Sequence, residues 1–384
     1  MDSSVAQSAQ RSSIAPRVFA ILGLLFVFLM GVRGLGGGFR LLGEDLIQSF
    51  FTATENPFIG LVVGLFATTL VQSSSVTTSM IVGMVAAPEN PLPLANAVPM
   101  VMGANIGTTV TSTIVSLAHL GRKEEFERAF PIAVCHDIFN YFAVLILLPL
   151  EIATGFLQKT AIWCTGFVGG LGGIEYRSPL RSALSFGLAP VYSAAEALFP
   201  SDGGQAVFLV AVSGLFIFVA LYFLVKTVRS AVHARVERFV NNVLGLNAIV
   251  SLAVGAVVTV MVQSSSITTS LLVPLGGAGL LKLERAFPVT IGANIGTTIT
   301  GFLAALAVAG PNAAVGLQIA LVHLLFNVAG MMLIYPITPI RNVPLRLSRG
   351  VAQLALRSRK LTVVGIALLF YGLPALCIVM SRAW

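Results

Sequence analysis

Four long stretches without Asp, Glu, Lys or Arg constrain this chain more than any other feature: residues 56–88, 90–121, 239–281 and 286–340. A helix crossing the hydrocarbon core of a bilayer takes about 20 apolar residues. Uncharged runs this long cannot clothe a water-facing surface. Composition agrees, with 56% hydrophobic and 10% charged residues and a mean hydropathy of +0.93, whereas a soluble domain carries roughly 25% charged residues. A soluble enzyme and a nucleic-acid binder are excluded. The net charge of +8, which in a soluble protein would point to nucleic acid, reads here as basic cytoplasmic loops. Cys135, Cys164 and Cys377 are widely spaced and form no CxxC or zinc pattern; Cys135 and Cys377 lie in apolar runs and read as buried thiols. The expected fold class is an all-α polytopic membrane protein.

Candidate spans are Val18–Met30, the 93–118 and 129–150 regions, Ala206–Val225, Leu361–Val379, and two helices within 286–340 split at Gly310-Pro311-Asn312. Val18–Met30 follows Arg11 and Arg17, as a signal peptide would, but the Gly-rich stretch after it has no clear small-x-small cleavage site, so it reads as a first membrane helix. Basic clusters at Lys226, Arg229, Arg235 and Arg238, at Arg341, Arg346, Arg349, Arg357, Arg359 and Lys360, and more weakly at Arg122, Lys123 and Arg128, are placed in the cytoplasm by the positive-inside rule. The 57–87 and 243–280 segments must then be hairpins that enter and leave on one face, the first starting outside and the second inside. The stretch 151–204, rich in Gly, Pro and Ser, reads as an external connection.

Those two hairpins carry matching sequences. Gln72-Ser73-Ser74-Ser75-Val76-Thr77-Thr78-Ser79 recurs as Gln263-Ser264-Ser265-Ser266-Ile267-Thr268-Thr269-Ser270, and Gly103-Ala104-Asn105-Ile106-Gly107-Thr108-Thr109 as Gly292-Ala293-Asn294-Ile295-Gly296-Thr297-Thr298. A third echo pairs His136-Asp137-Ile138-Phe139-Asn140 with His323-Leu324-Leu325-Phe326-Asn327. The offsets, 263 − 72 = 191, 294 − 105 = 189 and 323 − 136 = 187, are collinear, which means duplication. With opposite starting sides the copies are inverted, an arrangement in which transporters bind substrate and ions at the midplane.

A lipid-facing helix would not accept the hydroxyl density of residues 68–79. Hydroxyls can bond back to their own helix, but a triple serine with a glutamine, twice over, points to non-helical backbone lining a cavity. Each Gln-Ser-Ser-Ser run therefore reads as the unwound tip of a hairpin. Hydroxyls and N–H groups at a helix N-terminus cradle an anion, while amide and hydroxyl oxygens suit a hard cation. Neither motif contains Arg or Lys. An oxyanion bound there needs its charge offset by helix ends and by co-bound cations, so each ligand raises the other's affinity. Packing through small residues is the competing reading, and Gly103 with Gly107 forms a GxxxG pair. His136 and His323 read as hydrogen-bonded core histidines. Asp137, the single charge between Ala129 and Leu150, is a functional candidate whose economical partner is a cation.

The two paired motifs, and the continuous stretch from Gly103 to Asn140 with its extension Leu148-Pro149-Leu150-Glu151-Ile152-Ala153-Thr154-Gly155-Phe156-Leu157, resemble the type II sodium/phosphate cotransporters over about residues 55–160 and 240–345. The resemblance implies a symporter that drives inorganic phosphate inward with sodium, built from two inverted repeats, each with a re-entrant helical hairpin. The expected phosphate site comprises Gln72, Ser73, Ser74, Ser75, Ser264, Ser265 and Ser266, with Asn105 and Asn294. The expected sodium ligands are Gln263, Ser264, Thr297 and Thr300 in one set, Thr113, Asp137 and Asn140 in another, and Gln72, Thr108 and Asn327 beside them. Asp137 matches the aspartate that marks electrogenic members. The chain departs from animal members in its shorter 151–204 connection with one cysteine, in Arg122 and His119, and in ending after one apolar segment beyond Lys360; compactness and sparse external cysteine point to a bacterial member.

The expected division is 1–50 for the N-terminal segment and first helix, 51–160 for repeat 1, 161–238 for the connection with a membrane helix and basic loop, 239–340 for repeat 2, and 341–384 for a basic segment and last helix. The expected partners are phosphate, sodium ions, the lipid of a cell (inner) membrane and, in a homodimer, a second copy, with no organic cofactor and no nucleic acid. Another oxyanion or a dicarboxylate on the same scaffold is the alternative substrate. A serine hydrolase using His136 or His323 as base is disfavoured, because no GxSxG elbow surrounds either triplet.

Overall fold

Asparagine, serine and proline set where the helices begin. In a computed structural model, which describes residues 14–41, 52–169, 179–220, 223, 247–308 and 311–381, the chain is an assembly of helices, with no strand among the described residues. In order these are α1 Ile14–Leu41, α2 Pro57–Val71, α3 Ser74–Val85, α4 Leu94–Leu117, α5 Lys123–Thr154, α6 Phe156–Gly169, α7 Pro179–Leu198, α8 Asp202–Ala220, α9 Ala248–Val262, α10 Ser265–Gly277, α11 Leu283–Ala307, α12 Ala313–Ile334, α13 Thr338–Arg357, α14 Arg359–Ala367 and α15 Leu373–Ser381. The α14 and α15 segments form one rod through a π turn at Leu368–Gly372. Among the described residues, α4, α5, α8, α11, α12 and the α14–α15 rod are long and apolar enough to cross a membrane. The basic cluster from Lys226 to Arg238 lies outside the described residues.

The helices α2 and α9 start alike. Asn56 accepts from Phe58 N at 2.9 Å with Pro57 in the first turn, and Asn247 accepts from Val250 N at 3.0 Å. Each then packs against the Gly-Ala-Asn-Ile-Gly helix of its own half, α2 on α4 and α9 on α11. Glycine permits this closeness. A Cβ on Gly103 would strike the Leu61 carbonyl oxygen, and one on Gly64 the Met100 carbonyl oxygen. At the corresponding positions, Gly292 faces Leu252 and Gly255 faces Val289 in the same manner. The four contacts are backbone to backbone, so both crossings use small residues to let helices approach, as membrane helices do.

The halves then interlock. The α3 helix packs on α11, α10 packs on α4 and α5, and α12 packs on α3 and α4. Phe139 of α5 meets Phe287 of α11 edge to face, with ring centroids 5.8 Å apart. Outside this core, α13 is amphipathic. Its Leu345, Ser348, Ala352 and Ala355 are buried at helical spacing against α5, while Arg349 pairs with Glu284 and Arg341 lies over the Tyr335 ring.

The 151–204 stretch, read as an external connection, is helical over most of its described length as α6 and α7. Its turn residues end helices instead of dissolving them. Gly155 closes α5 with φ +65°, and the Glu151 carboxylate caps α6 by accepting from Leu157 N (2.6 Å) and Gln158 N (3.2 Å). Cys135 is buried as expected, but Cys377 is exposed, because the α14–α15 rod turns Leu361, Leu373, Leu376 and Val379 outward instead of into the core.

Candidate functional site

Both Gln-Ser-Ser-Ser runs break their helix over two residues. Gln72 ends α2 with φ 58° and ψ 26°, and Gln263 ends α9 with φ 56° and ψ 28°. This left-handed conformation costs a non-glycine residue roughly 1–2 kcal/mol, and glycine would adopt it freely. A side chain kept there at that cost has work to do. Gln72 Oε1 accepts from Thr111 Oγ1 at 3.0 Å, and Gln263 Oε1 accepts from Thr300 Oγ1 at 3.1 Å. Thr111 and Thr300 are themselves equivalent positions, 300 − 111 = 189 apart. The next residue restarts the chain. Ser73 caps α3 by accepting from Val76 N at 3.4 Å, and Ser264 caps α10 by accepting from Ile267 N at 3.3 Å. Ser74, Ser75 and Ser265 are therefore buried in first helical turns, where backbone N–H groups lack intrahelical partners.

The two breaks meet. Ser75 Oγ donates to Thr300 Oγ1 at 3.3 Å, and the Thr300 hydroxyl donates in turn to Gln263 Oε1. A hydroxyl chain thus runs from one serine triplet to the glutamine of the other. On the opposite side Thr269 approaches Ser112 at 3.5 Å. There the symmetry is broken: the counterpart of Ser112 is Gly301, and its neighbour Thr78 leaves Oγ1 buried without a partner. Much of the remaining hydroxyl density bonds back to its own helix, including Thr69, Thr77, Ser79, Thr108 and Thr297.

A hydrogen-bonded network joins six buried amides and imidazoles. His136 Nε2 meets Asn294 Oδ1 at 2.7 Å, and His323 Nε2 meets Asn105 Oδ1 at 3.3 Å, each crossing between halves. Asn294 Nδ2 donates to Asn140 Oδ1 at 2.8 Å, and Asn327 Nδ2 donates to Asn105 Oδ1 at 3.2 Å. Amide oxygens only accept, so both histidines carry their proton on Nε2. The Asn294 side chain and the Asn105 Oδ1 thus bond within this network, and Asn105 Nδ2 donates to the Val101 carbonyl of its own helix at 2.9 Å, so neither amide bonds to the serine triplets.

Asp137 stands apart. Thr113 Oγ1 donates to its Oδ2 at 2.7 Å, while Oδ1 is buried without a hydrogen-bond partner, the neighbouring Thr109 hydroxyl being engaged by the Ile106 carbonyl. A buried carboxylate with an open lone pair is costly unless a donor or a cation satisfies it. The duplication does not repeat it: the equivalent positions hold Phe302 and Leu324. Asn140 is one turn along α5 but bonds to Asn294 and to the Asn105 carbonyl instead.

Two site residues were missed from the sequence: Thr111, signalled only by its equivalence to Thr300, and Tyr371. Tyr371, in the π turn of the last rod, accepts from Gln72 Nε2 at 3.1 Å. Gln263 Nε2 finds only the Val260 carbonyl of its own helix. The single signal for Tyr371 was a tyrosine in an otherwise apolar last span; π turns recur at functional sites.

The chain matches the sequence model described as Na+/Pi-cotransporter over residues 27–162 and 215–377. It is 30% identical to sodium-dependent phosphate transport protein 2B of Pongo abelii, across 96% of this chain and 66% of that protein. It is likewise 30% identical to the 2B protein of Homo sapiens (96% and 65%) and 32% identical to sodium-dependent phosphate transport protein 2A of Rattus norvegicus (96% and 68%). It therefore spans about two thirds of the length of these relatives. No solved structure matches it. Two copies of one polar motif joined across a helical membrane-type core, and this similarity over nearly the whole chain, place it in the Na+/Pi-cotransporter family.

Proposed function

We propose that the chain is a sodium-coupled symporter carrying inorganic phosphate into the cell across the inner membrane. The observation that carries this reading is the hydroxyl chain from Ser75 through Thr300 to Gln263, which joins two tips far apart in sequence into one buried polar network. The names of the relatives supply the substrate and the coupling ion. The paired glycine crossings support a division into repeats at 51–160 and 239–340, and the charge distribution supports their inversion. Both α2 and α9 have 15 residues, which at about 1.5 Å each rise roughly 22 Å and fall short of the roughly 30 Å hydrocarbon core. Each pair, α2–α3 and α9–α10, is therefore a re-entrant hairpin.

Phosphate lies between the N-termini of α3 and α10, held by Gln72, Ser73, Ser74, Ser75, Ser264, Ser265 and Ser266, with Asn105 and Asn294 of the amide and imidazole network beside them. Helix N-termini supply only partial positive charge. Sodium supplies the remainder, at Gln263, Ser264, Thr297 and Thr300, and at Thr113, Asp137 and Asn140, with Gln72, Thr108 and Asn327 alongside. The two ligands thereby stabilise one another. A cycle that also carries a cation at Asp137 moves net charge and is electrogenic. A second copy of the chain completes a dimer.

Uptake of labelled phosphate by proteoliposomes tests the reading. A sodium gradient should drive accumulation that falls at least about tenfold, some 1.4 kcal/mol of coupling, when potassium or choline replaces sodium; equal uptake in choline would contradict it. Excess sulfate or dicarboxylate should leave the uptake unchanged, whereas strong competition would favour the alternative substrate. Tyr371→Phe, which removes one of the two acceptors of the Gln72 amide and leaves the Thr69 carbonyl, should raise the phosphate concentration for half-maximal uptake about fivefold, the equivalent of roughly 1 kcal/mol for one hydrogen bond. An unaltered concentration dependence would remove Tyr371 from the site.

A further inference from the structure

A trough of about 490 Å³ opens between α5, α13 and the last rod. Two of its walls are helical rows at four-residue spacing, Phe130, Val134 and Ile138 on α5 and Leu361, Gly365 and Leu369 on the rod. Each row runs about 12 Å along its helix, so the trough is long and apolar. Its lip is apolar too, because Leu361 and Leu369 of the rod and Val351 and Leu354 of α13 are exposed. Asp137 borders it, but its Oδ1 is buried and takes no part. The end where the rod begins is different. Arg357 and Ser358 line it, at the junction of α13 and α14. Arg357 is exposed and has no carboxylate partner among the described residues. From Ala286 to Trp384 the chain contains no Asp or Glu, against seven Arg and Lys, and the nearest preceding acid, Glu284, is paired with Arg349.

We propose that this trough holds one phospholipid of net negative charge, with its phosphate on Arg357 and Ser358 and one acyl chain along the α5 and rod rows. Shape and charge together select that occupant. A long apolar trough with an apolar lip is filled by a chain from the surrounding bilayer, since water there would wet hydrocarbon on every side. The cation at one end then chooses the head. Basic pockets between membrane helices take anionic lipid heads, and a zwitterionic head already offsets its phosphate with its own ammonium. The Ser358 hydroxyl accepts from Leu361 N at 3.3 Å, and its proton, with no acceptor among the described residues, remains to donate to a phosphate oxygen. With no carboxylate after Glu284, the α13 and rod surface repels no anion of its own accord. The inference rests on the chain lying in a membrane and not on what it carries, since lipid occupancy is read directly.

Arg357 and Gly365 supply the test, one for the head and one for the chain. A Cβ built on Gly365 meets no atom within 4 Å, so Gly365→Leu fills the trough without displacing backbone. The full chain, delipidated in a neutral detergent, is titrated with dioleoyl phosphatidylglycerol or dioleoyl phosphatidylcholine, and bound lipid is counted by native mass spectrometry. Expected are one tightly held phosphatidylglycerol per chain, about tenfold weaker retention of phosphatidylcholine, a fall to that weaker level in Arg357→Gln, and loss of both lipids in Gly365→Leu with its thermal transition retained. Leu354→Phe fills the same trough from α13 and serves if the first filling variant does not fold. Arg346→Gln removes the same charge from an exposed position outside the trough and should bind as the parent does. Equal retention of the two lipids, equal losses in Arg346→Gln and Arg357→Gln, or parental retention in the folded filling variant would overturn the proposal. So would release of phosphatidylglycerol by an equimolar amount of glycerol phosphate, which would mean a site for a free phosphate ester.

Discussion

Gly103→Val and Gly292→Val are each expected to leave little monodisperse protein on size-exclusion chromatography, and no uptake. A Cβ at either position falls on a carbonyl oxygen of the helix it crosses, Leu61 for Gly103 and Leu252 for Gly292. Backbone of a packed helix cannot turn aside as a side-chain tip can. Separating the helices instead would forfeit the burial of Thr68 and Thr69 on α2, or of Thr259 on α9, and carry Gln72 or Gln263 away from its threonine partner. Overpacking a core commonly costs about 1–3 kcal/mol, and more where backbone must move, out of a total stability of roughly 5–15 kcal/mol. Gly166→Val is the control, because a Cβ there meets nothing within 4 Å. It should elute and melt as the parent does. Normal elution of both Gly103→Val and Gly292→Val would mean that the two crossings are looser than described.

Asp137→Asn should raise the sodium concentration for half-maximal uptake by about 10- to 100-fold, the equivalent of roughly 1.5–3 kcal/mol for a charge-assisted contact. The substitution keeps size and keeps an acceptor for Thr113, whose hydroxyl donates at 2.7 Å. What it removes is the negative charge, and with it the reason for a cation to sit beside the unpartnered Oδ1. Transport that persists at high sodium should then move one positive charge fewer per phosphate. Phosphate-induced current divided by labelled uptake in the same vesicles measures this. An unaltered ratio would place the coupling ion elsewhere.

The chemistry of the tips was legible because it is written twice. The equivalence of Gln72 with Gln263 and of Gly103 with Gly292 is plain in the residues, and the capping Ser73 and Ser264 mark where the second helix of each pair restarts. What crosses between the halves was not legible. His136 and His323 read correctly as hydrogen-bonded core histidines, but their partners Asn294 and Asn105 lie 158 and 218 residues away, and no local pattern names them. The Tyr371 contact to Gln72 spans 299 residues and depends on a π turn. Nor was it legible where the hydroxyl protons go: Thr108 and Thr297 each donate to the carbonyl four residues back, which leaves their oxygen lone pairs for a cation. The Gly155 and Pro179 punctuation around α6 and α7 signals helix ends as readily as loop, and only packing decides which.

The central claim is that two serine tips from two repeats form one phosphate site whose charge sodium completes. Equilibrium binding of labelled phosphate to the purified chain tests it most directly, with Ser74→Ala and Ser265→Ala measured beside the parent. The account predicts one phosphate per chain, affinity that climbs as sodium replaces potassium, and weakened binding from either serine variant alone. Two independent phosphates per chain, binding indifferent to sodium, or a loss confined to one tip would contradict it.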